Sequence, residues 1–280
     1  MGGMAVKDLG AVRIKKDEYK AITDVFMSEF SNQFDSMQSQ MSEELKFEFV
    51  KAYAEKPDYG DLDFITTVNK NLFVDFINKS DKIEVIGSSG DSFAVKVKIG
   101  DSYSNICQLD YIHSNSDDFD FKTKYYAFND LGNIIGRVAK AASLKFGFDG
   151  LSKDIYFNRS FDEMVVPVMT MEPEVRNDEF NPYNKGNIIL TKDFDVALAL
   201  LGFDVEQYNK GFNTIEEIFE FVTNSKYFMK FYYNSELRNH KARARDKKRT
   251  VYSIFLKYIE DKEDKQSFDS NFMETVKEVF

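Results

Sequence analysis

Asp58-Tyr59-Gly60-Asp61-Leu62-Asp63-Phe64 is the stretch on which the reading of this chain turns. The segment Ala52 to Gly60 contains Pro57 and Gly60, residues that interrupt regular structure, and reads as a loop. Asp61 to Val68 then reads as a strand. Residues i and i+2 of a strand share a face, so Asp61 and Asp63 are expected to aim together while Leu62 turns the other way into a core. Two adjacent carboxylates repel unless a cation sits between them, and hard oxygen ligands at a strand edge suit Mg²⁺. Alone, Asp-Leu-Asp opening a strand in an acidic chain reads as readily as a solvated strand end.

A third carboxylate changes the weighing. Asp110 lies in Ile106-Cys107-Gln108-Leu109-Asp110-Tyr111-Ile112, flanked by apolar residues in a predicted strand from Tyr103 to His113. If the two strands are neighbours, three carboxylates converge on one point. Two-metal phosphoryl transfer needs that arrangement: one ion neutralises the leaving group and the other lowers the pKa of the attacking hydroxyl. Asp61 and Asp63 would bridge two Mg²⁺ (or Mn²⁺) ions. Asp110 would hold one of them and receive the hydroxyl proton.

Outward from these strands, Ile22, Val25, Phe26 and Phe30 fall at helical spacing and predict a helix over Lys16 to Asn32. Leu45 to Val50 alternates as a strand. Leu72 to Lys79 reads as a helix. Strands at Lys82–Ile86 and Phe93–Ile99 are joined through Gly87-Ser88-Ser89-Gly90-Asp91, which has hairpin chemistry. Asp117–Tyr126 and Asp130–Leu144 read as helices, the second capped by Asn129. Short strands are expected at Val165–Met169 and Ile188–Leu190, around a surface loop at Glu172–Gly186. The remainder reads as helices at Asp193–Leu201, Thr214–Asn224 and one long piece from Leu237 to Glu260. The fold class is α/β (α+β), with a mixed sheet flanked by helices over residues 1–150 and a mainly helical region over 151–280.

The carboxylate strands resemble the DNA polymerase β-like nucleotidyltransferase superfamily, most closely its family X DNA polymerases. Gly60-Asp61-Leu62-Asp63-Phe64 matches that family's Gly-Asp-hydrophobic-Asp strand, and Leu109-Asp110-Tyr111-Ile112 its later aspartate strand. Downstream, Tyr125-Tyr126-Ala127-Phe128-Asn129-Asp130-Leu131-Gly132-Asn133, continuing to Arg137, is similar to the segment leading into the helix beside the incoming nucleotide. The resemblance implies a palm-like catalytic unit in residues 1–150. It implies that Gly60, Asn129, Asp130 and Asn133 serve the nucleotide, Asp130 stacking near the base and Asn133 bonding its minor-groove edge. Arg137 would reach the template or primer.

One departure stands out. The family's Gly-Ser phosphate cradle is replaced here by Lys51-Ala52. Either Lys51 and Lys56 supply charge for the phosphates, or triphosphate binding is weakened and the chain is a degenerate, non-catalytic binding or assembly protein. A transferase acting on a protein or small molecule is the other alternative.

The chain of 280 residues carries a net charge of −10, so it is not a general polyanion binder. Contact with DNA or RNA must come from a local basic patch. Leu237 to Arg249 is the one basic cluster, and Arg243, Arg245, Lys248 and Arg249 are its candidate phosphate contacts; a solvated helix face is the plainer reading. The single Cys107 excludes a disulfide framework. With no apolar run long enough for a signal peptide or a membrane span, a soluble, cytoplasmic protein that works on an NTP or dNTP, apart from membranes, is expected.

Overall fold

A computed structural model describes residues 5–156, 185–234, 240–268, 272 and 276. In chain order its first elements are β1 (Ile14–Lys15), α1 (Lys16–Asn32), α2 (Phe34–Gln38), β2 (Phe47–Phe49), β3 (Asp58–Tyr59) and β4 (Leu62–Thr66). Then come α3 (Lys70–Lys79), β5 (Ile83–Ser89), β6 (Ser92–Ile99), β7 (Ser102–Tyr103) and β8 (Cys107–His113). There follow α4 (Phe119–Tyr126), α5 (Leu131–Ala141), β9 (Lys145–Gly147), β10 (Gly150–Tyr156) and β11 (Lys185–Thr191). The last are α6 (Phe194–Leu200), α7 (Val205–Lys210), α8 (Ile215–Thr223), α9 (His240–Asp246) and α10 (Thr250–Tyr258).

The architecture is mixed α/β, as the sequence predicts. The main sheet runs β2-β4-β8-β6-β5, with β7 beside β6. β4 and β8 are parallel and the other pairs antiparallel. Alternation on β4 sends Leu62 and Phe64 into the core with α1 and α3. There the Phe64 ring meets Phe26 at 5.0 Å, Phe30 at 5.1 Å and Phe73 at 5.7 Å between centroids, edge-on and offset contacts that add to simple burial. On β8, Leu109 and Tyr111 do the same. The opposite face of the two strands carries Asp63 and Asp110, with the buried Ile65 and Gln108 two residues along.

A second core gathers α4, α5, β9, β10, α6, α7, α8 and α10, from Phe121 to Val276. The first core ends at Tyr111. The core residues from Phe121 to Phe146, read from the sequence with the first unit, therefore pack with the second.

Several predicted bounds move for local reasons. Helix α3 begins earlier, because the Asn69 side chain accepts the Leu72 N–H and caps it. The β5–β6 hairpin turns on Gly90-Asp91 alone, with Ser89 paired to Ser92 and Gly90 at a φ of 62°. Within the predicted loop, Asp58 and Tyr59 pair with β1. Helix α5 starts from Asp130, while Asn129 stands before it with φ 63°. The long C-terminal helix is broken between Asp246 and Thr250, where Arg249 is extended. The strand expected at 165–169 and the loop at 172–184 lie outside the described residues. No helix among the described residues is long and apolar enough to cross a membrane.

Candidate metal centre and its cleft

Asp63 and Asp110 are register partners on the parallel strands β4 and β8. Asp61 lies two residues before Asp63, just ahead of the strand. A ligand oxygen of each lies within 4.8 Å of the others, so the three acids expected to converge do so, and they could hold a metal ion. Their electrostatics point the same way. Burial and the neighbouring charges of Asp61 and Asp110 push the Asp63 carboxyl up to about 7. Burial and Asp110 also raise Asp61, against the pull of Lys56. Like charges held together in a desolvated site favour a proton or a cation. Three carboxylates form a hard oxygen donor set.

Gln108 has no place in the sequence reading and is central here. It is 3% exposed, and its Nε2 donates to both Asp110 carboxylate oxygens at 2.8 and 2.9 Å. Its Oε1 accepts the backbone N–H of Ala5 at 3.0 Å. The N-terminal segment thereby fixes the orientation of a ligand carboxylate, as hydrogen-bonding partners do in metal sites. The i−2 spacing to Asp110 on one strand was the available signal.

Asp61 and Asp63, but not Asp110, border a cleft of about 570 Å³. Asp61, Asp63, Tyr19, Lys56 and Tyr59 form one side; Tyr125, Tyr126, Asn129, Asp130 and Asn133 form another. The Tyr19 and Tyr59 rings stack at 3.7 Å, and the Lys56 ammonium lies 4.6 Å from the Tyr59 centroid. Burial lowers the Lys56 pKa, while Asp61 and Asp63 pull it upward. Lys56 Nζ donates to Asn129 Oδ1 at 2.9 Å. Lys51 also lines the cleft; its side chain is 69% exposed beside Glu48. Gly60 is buried in the approach to β4 and does not line the cleft.

Asn129 is aimed by an unusual backbone. Phe128 and Asn129 both have positive φ, 59° and 63°, a conformation that costs a non-glycine residue roughly 1–3 kcal/mol. The Phe128 ring is locked edge-on against Tyr208 and Phe212, and its N–H donates to the Lys51 carbonyl at 2.8 Å. Next to it, a Cβ on Gly132 would lie 2.3 Å from the Tyr125 carbonyl oxygen. Only glycine lets α5 approach the aromatic pair so closely.

No protein-family model matches the chain, and no curated protein matches it.

The residues read as nucleic-acid contacts separate into groups. Arg137 is 3% exposed, its Nη2 lies 2.8 Å from Asp246 Oδ2, and its guanidinium is 4.8 Å from the Tyr252 centroid. The expected reach to a template or primer is corrected: α9 and α10 cover Arg137 and occupy it. Asp130 is likewise ion-paired to Arg249. Arg245 and Arg249 line the cleft, whereas Arg243 and Lys248 stand outside it. Lys248 is exposed and Arg243 half-buried. The Asn133 Nδ2 is buried without a hydrogen-bond partner, although Asn133 lines the cleft. Buried donors are normally satisfied, so this Nδ2 is an exception, closed to solvent although the residue reaches the cleft.

Proposed function

We propose that the protein is a metal-dependent nucleotidyltransferase that moves a nucleoside monophosphate from an NTP or dNTP to a hydroxyl and releases pyrophosphate. The observation that carries this reading is the pairing of Asp63 with Asp110 across parallel strands, with Asp61 within 4.8 Å of both. The resemblance to family X polymerases supports it on the residues quoted above.

Asp61, Asp63 and Asp110 would hold two Mg²⁺ or Mn²⁺ ions, which supply charge neutralisation for the phosphates and acidify the acceptor hydroxyl. Asp110, oriented by Gln108, receives the hydroxyl proton on a carboxylate oxygen. The acceptor oxygen bonds to the α-phosphorus as the bond from that phosphorus to the bridging oxygen breaks, and pyrophosphate leaves. Lys56, Arg245 and Arg249 offer cationic groups to the triphosphate from the cleft wall. Lys56 lies among the carboxylates and takes the part that the missing Gly-Ser cradle would play.

The Lys51-Ala52 departure favours one other reading, a binding protein without catalysis on the same fold. Incubation with Mg²⁺ or Mn²⁺, labelled nucleotides and short oligonucleotides separates the two. Wild type should transfer label and release pyrophosphate, and Asp61→Ala should do neither. Equal labelling by both would reject the carboxylate mechanism. Oligonucleotide binding unchanged by Asp61→Ala, with no pyrophosphate from wild type, would favour the binding protein.

A further inference from the structure

We propose that Gln108 sets which divalent cation the carboxylate centre accepts, admitting a small octahedral ion and disfavouring Ca²⁺. This rests on the metal-dependent reading of Asp61, Asp63 and Asp110 and adds the selectivity of the same site.

A carboxylate binds a cation in one of two ways. Both oxygens chelate it, with the ion at the mouth of the O–C–O angle, or one oxygen binds it alone. Ca²⁺ gathers roughly six to eight oxygens at about 2.3–2.6 Å and accepts chelating carboxylates. Mg²⁺ demands near-ideal octahedral geometry at about 2.0–2.1 Å and keeps several of its waters. Closing the chelating position therefore takes a ligand from Ca²⁺ and little from Mg²⁺.

At Asp110 the protein itself fills that position. The Gln108 Nε2 stands 2.8 Å from Oδ1 and 2.9 Å from Oδ2. An atom that far from both oxygens, and donating to each, lies on the bisector of the carboxylate at its mouth. A chelated cation would need the same place, and an N–H donor repels it. The outer lone pair of each Asp110 oxygen is left over, one for a single bond to an ion and one for a proton.

The amide is held where it is. Gln108 is 3% exposed, and its Oε1 accepts the Ala5 N–H at 3.0 Å. A flipped amide would set Oε1 against the carboxylate and Nε2 against the Ala5 N–H, two unfavourable contacts in place of two good ones. The segment that supplies this N–H is anchored separately. Val6 is 1% exposed and clusters with Ala11 and Ala94, and Ala94 is the register partner of Gln108 on β6.

The test reads metal binding by the full chain without nucleotide. Free Mn²⁺ is followed by EPR while Mg²⁺ or Ca²⁺ displaces the bound ion. Mg²⁺ should displace Mn²⁺ from wild type at lower concentration than Ca²⁺ does. In Gln108→Ala the Mg²⁺-to-Ca²⁺ preference should move toward Ca²⁺ by about tenfold, within the range that loss of a ligand's hydrogen-bonding partner brings. Ala5→Pro removes the N–H that holds Oε1, at an exposed position. It should shift the preference the same way by less, and it decides the matter if Gln108→Ala fails to fold. Ca²⁺ displacing Mn²⁺ from wild type as readily as Mg²⁺ does would overturn the inference. So would a preference unchanged in every variant that folds. Pyrophosphate release by wild type alongside either result would leave the transferase reading standing. The expected selectivity with no pyrophosphate from any acceptor would keep the inference and remove the transferase reading. No Mn²⁺ binding by wild type would remove both.

Discussion

Asp63 ionises near 7 in the fold and near 3.9 in an unfolded chain. Between those values the folded protein keeps a proton that the unfolded chain has released. The metal-free protein is therefore stabilised at low pH by this group, and that stability is lost as pH rises from about 4 to about 7. Asp61 shifts in the same direction and deepens the loss. A divalent cation selects the ionised form and reverses it. Thermal melts should show Asp63→Asn more stable than wild type at pH 8 without metal, with the difference shrinking toward pH 5. Mn²⁺ should raise the wild-type Tm more at pH 8 than at pH 5 and leave the variant almost unmoved. A wild-type-minus-variant difference flat across that range would remove the crowded carboxylate site. At this scale the pair Asp61 and Asp63 was plain from alternation, and Asp110 from its apolar neighbours. Gln108, Tyr19 and Tyr59 were not singled out, since no local pattern says which polar or aromatic residue will face a particular carboxylate.

Helix α5 carries the contrast at the next scale. Its apolar stripe was legible, and the spacing of Asp130, Asn133 and Arg137 places them on related faces. What those residues meet depends on α9 and α10, with Asp246 lying 109 positions beyond Arg137. Arg137→Met should take the guanidinium away from the buried Asp246 carboxylate and cost about 3–5 kcal/mol of unfolding free energy. Arg137→Met combined with Asp246→Leu should recover most of that loss, because apolar packing can replace both charges. Chemical denaturation of the two variants checks this. A double variant as unstable as the single one would mean the pair is not the main interaction there. The break after Asp246 has the same origin. Periodicity alone supports a continuous helix to Glu260, whereas the break lies between two residues engaged by α5 and its cap, Asp246 by Arg137 and Arg249 by Asp130.

Across the whole molecule, a chain of net charge −10 sets five cations beside four carboxylates in the lining of one cleft. Lys51 and Lys56 come from the approach to β4, Lys145 from β9, and Arg245 and Arg249 from around α9. Association with nucleic acid should therefore be short-ranged and sensitive to salt. The three exposed cations of the lining, Lys51, Lys145 and Arg245, on a single strand predict a slope of log K against log salt of about −2, since each phosphate contact contributes roughly −0.7. Arg245→Ala with Lys145→Ala should flatten the slope by about 1.4 on the same basis. An unchanged slope in fluorescence anisotropy titrations would place the strand elsewhere.

By itself the sequence determined the element types, the faces of β4 and β8 and the identity of the acidic trio. These follow from the period of two in strands and of 3.6 in helices, which a local stretch carries whole. Tertiary structure decided the register that sets Asp63 opposite Asp110 and the capture of Arg137 and Asp130 by residues more than 100 positions away. Those depend on which surfaces pack together, and a side chain's partner across a core leaves no mark in the residues beside it.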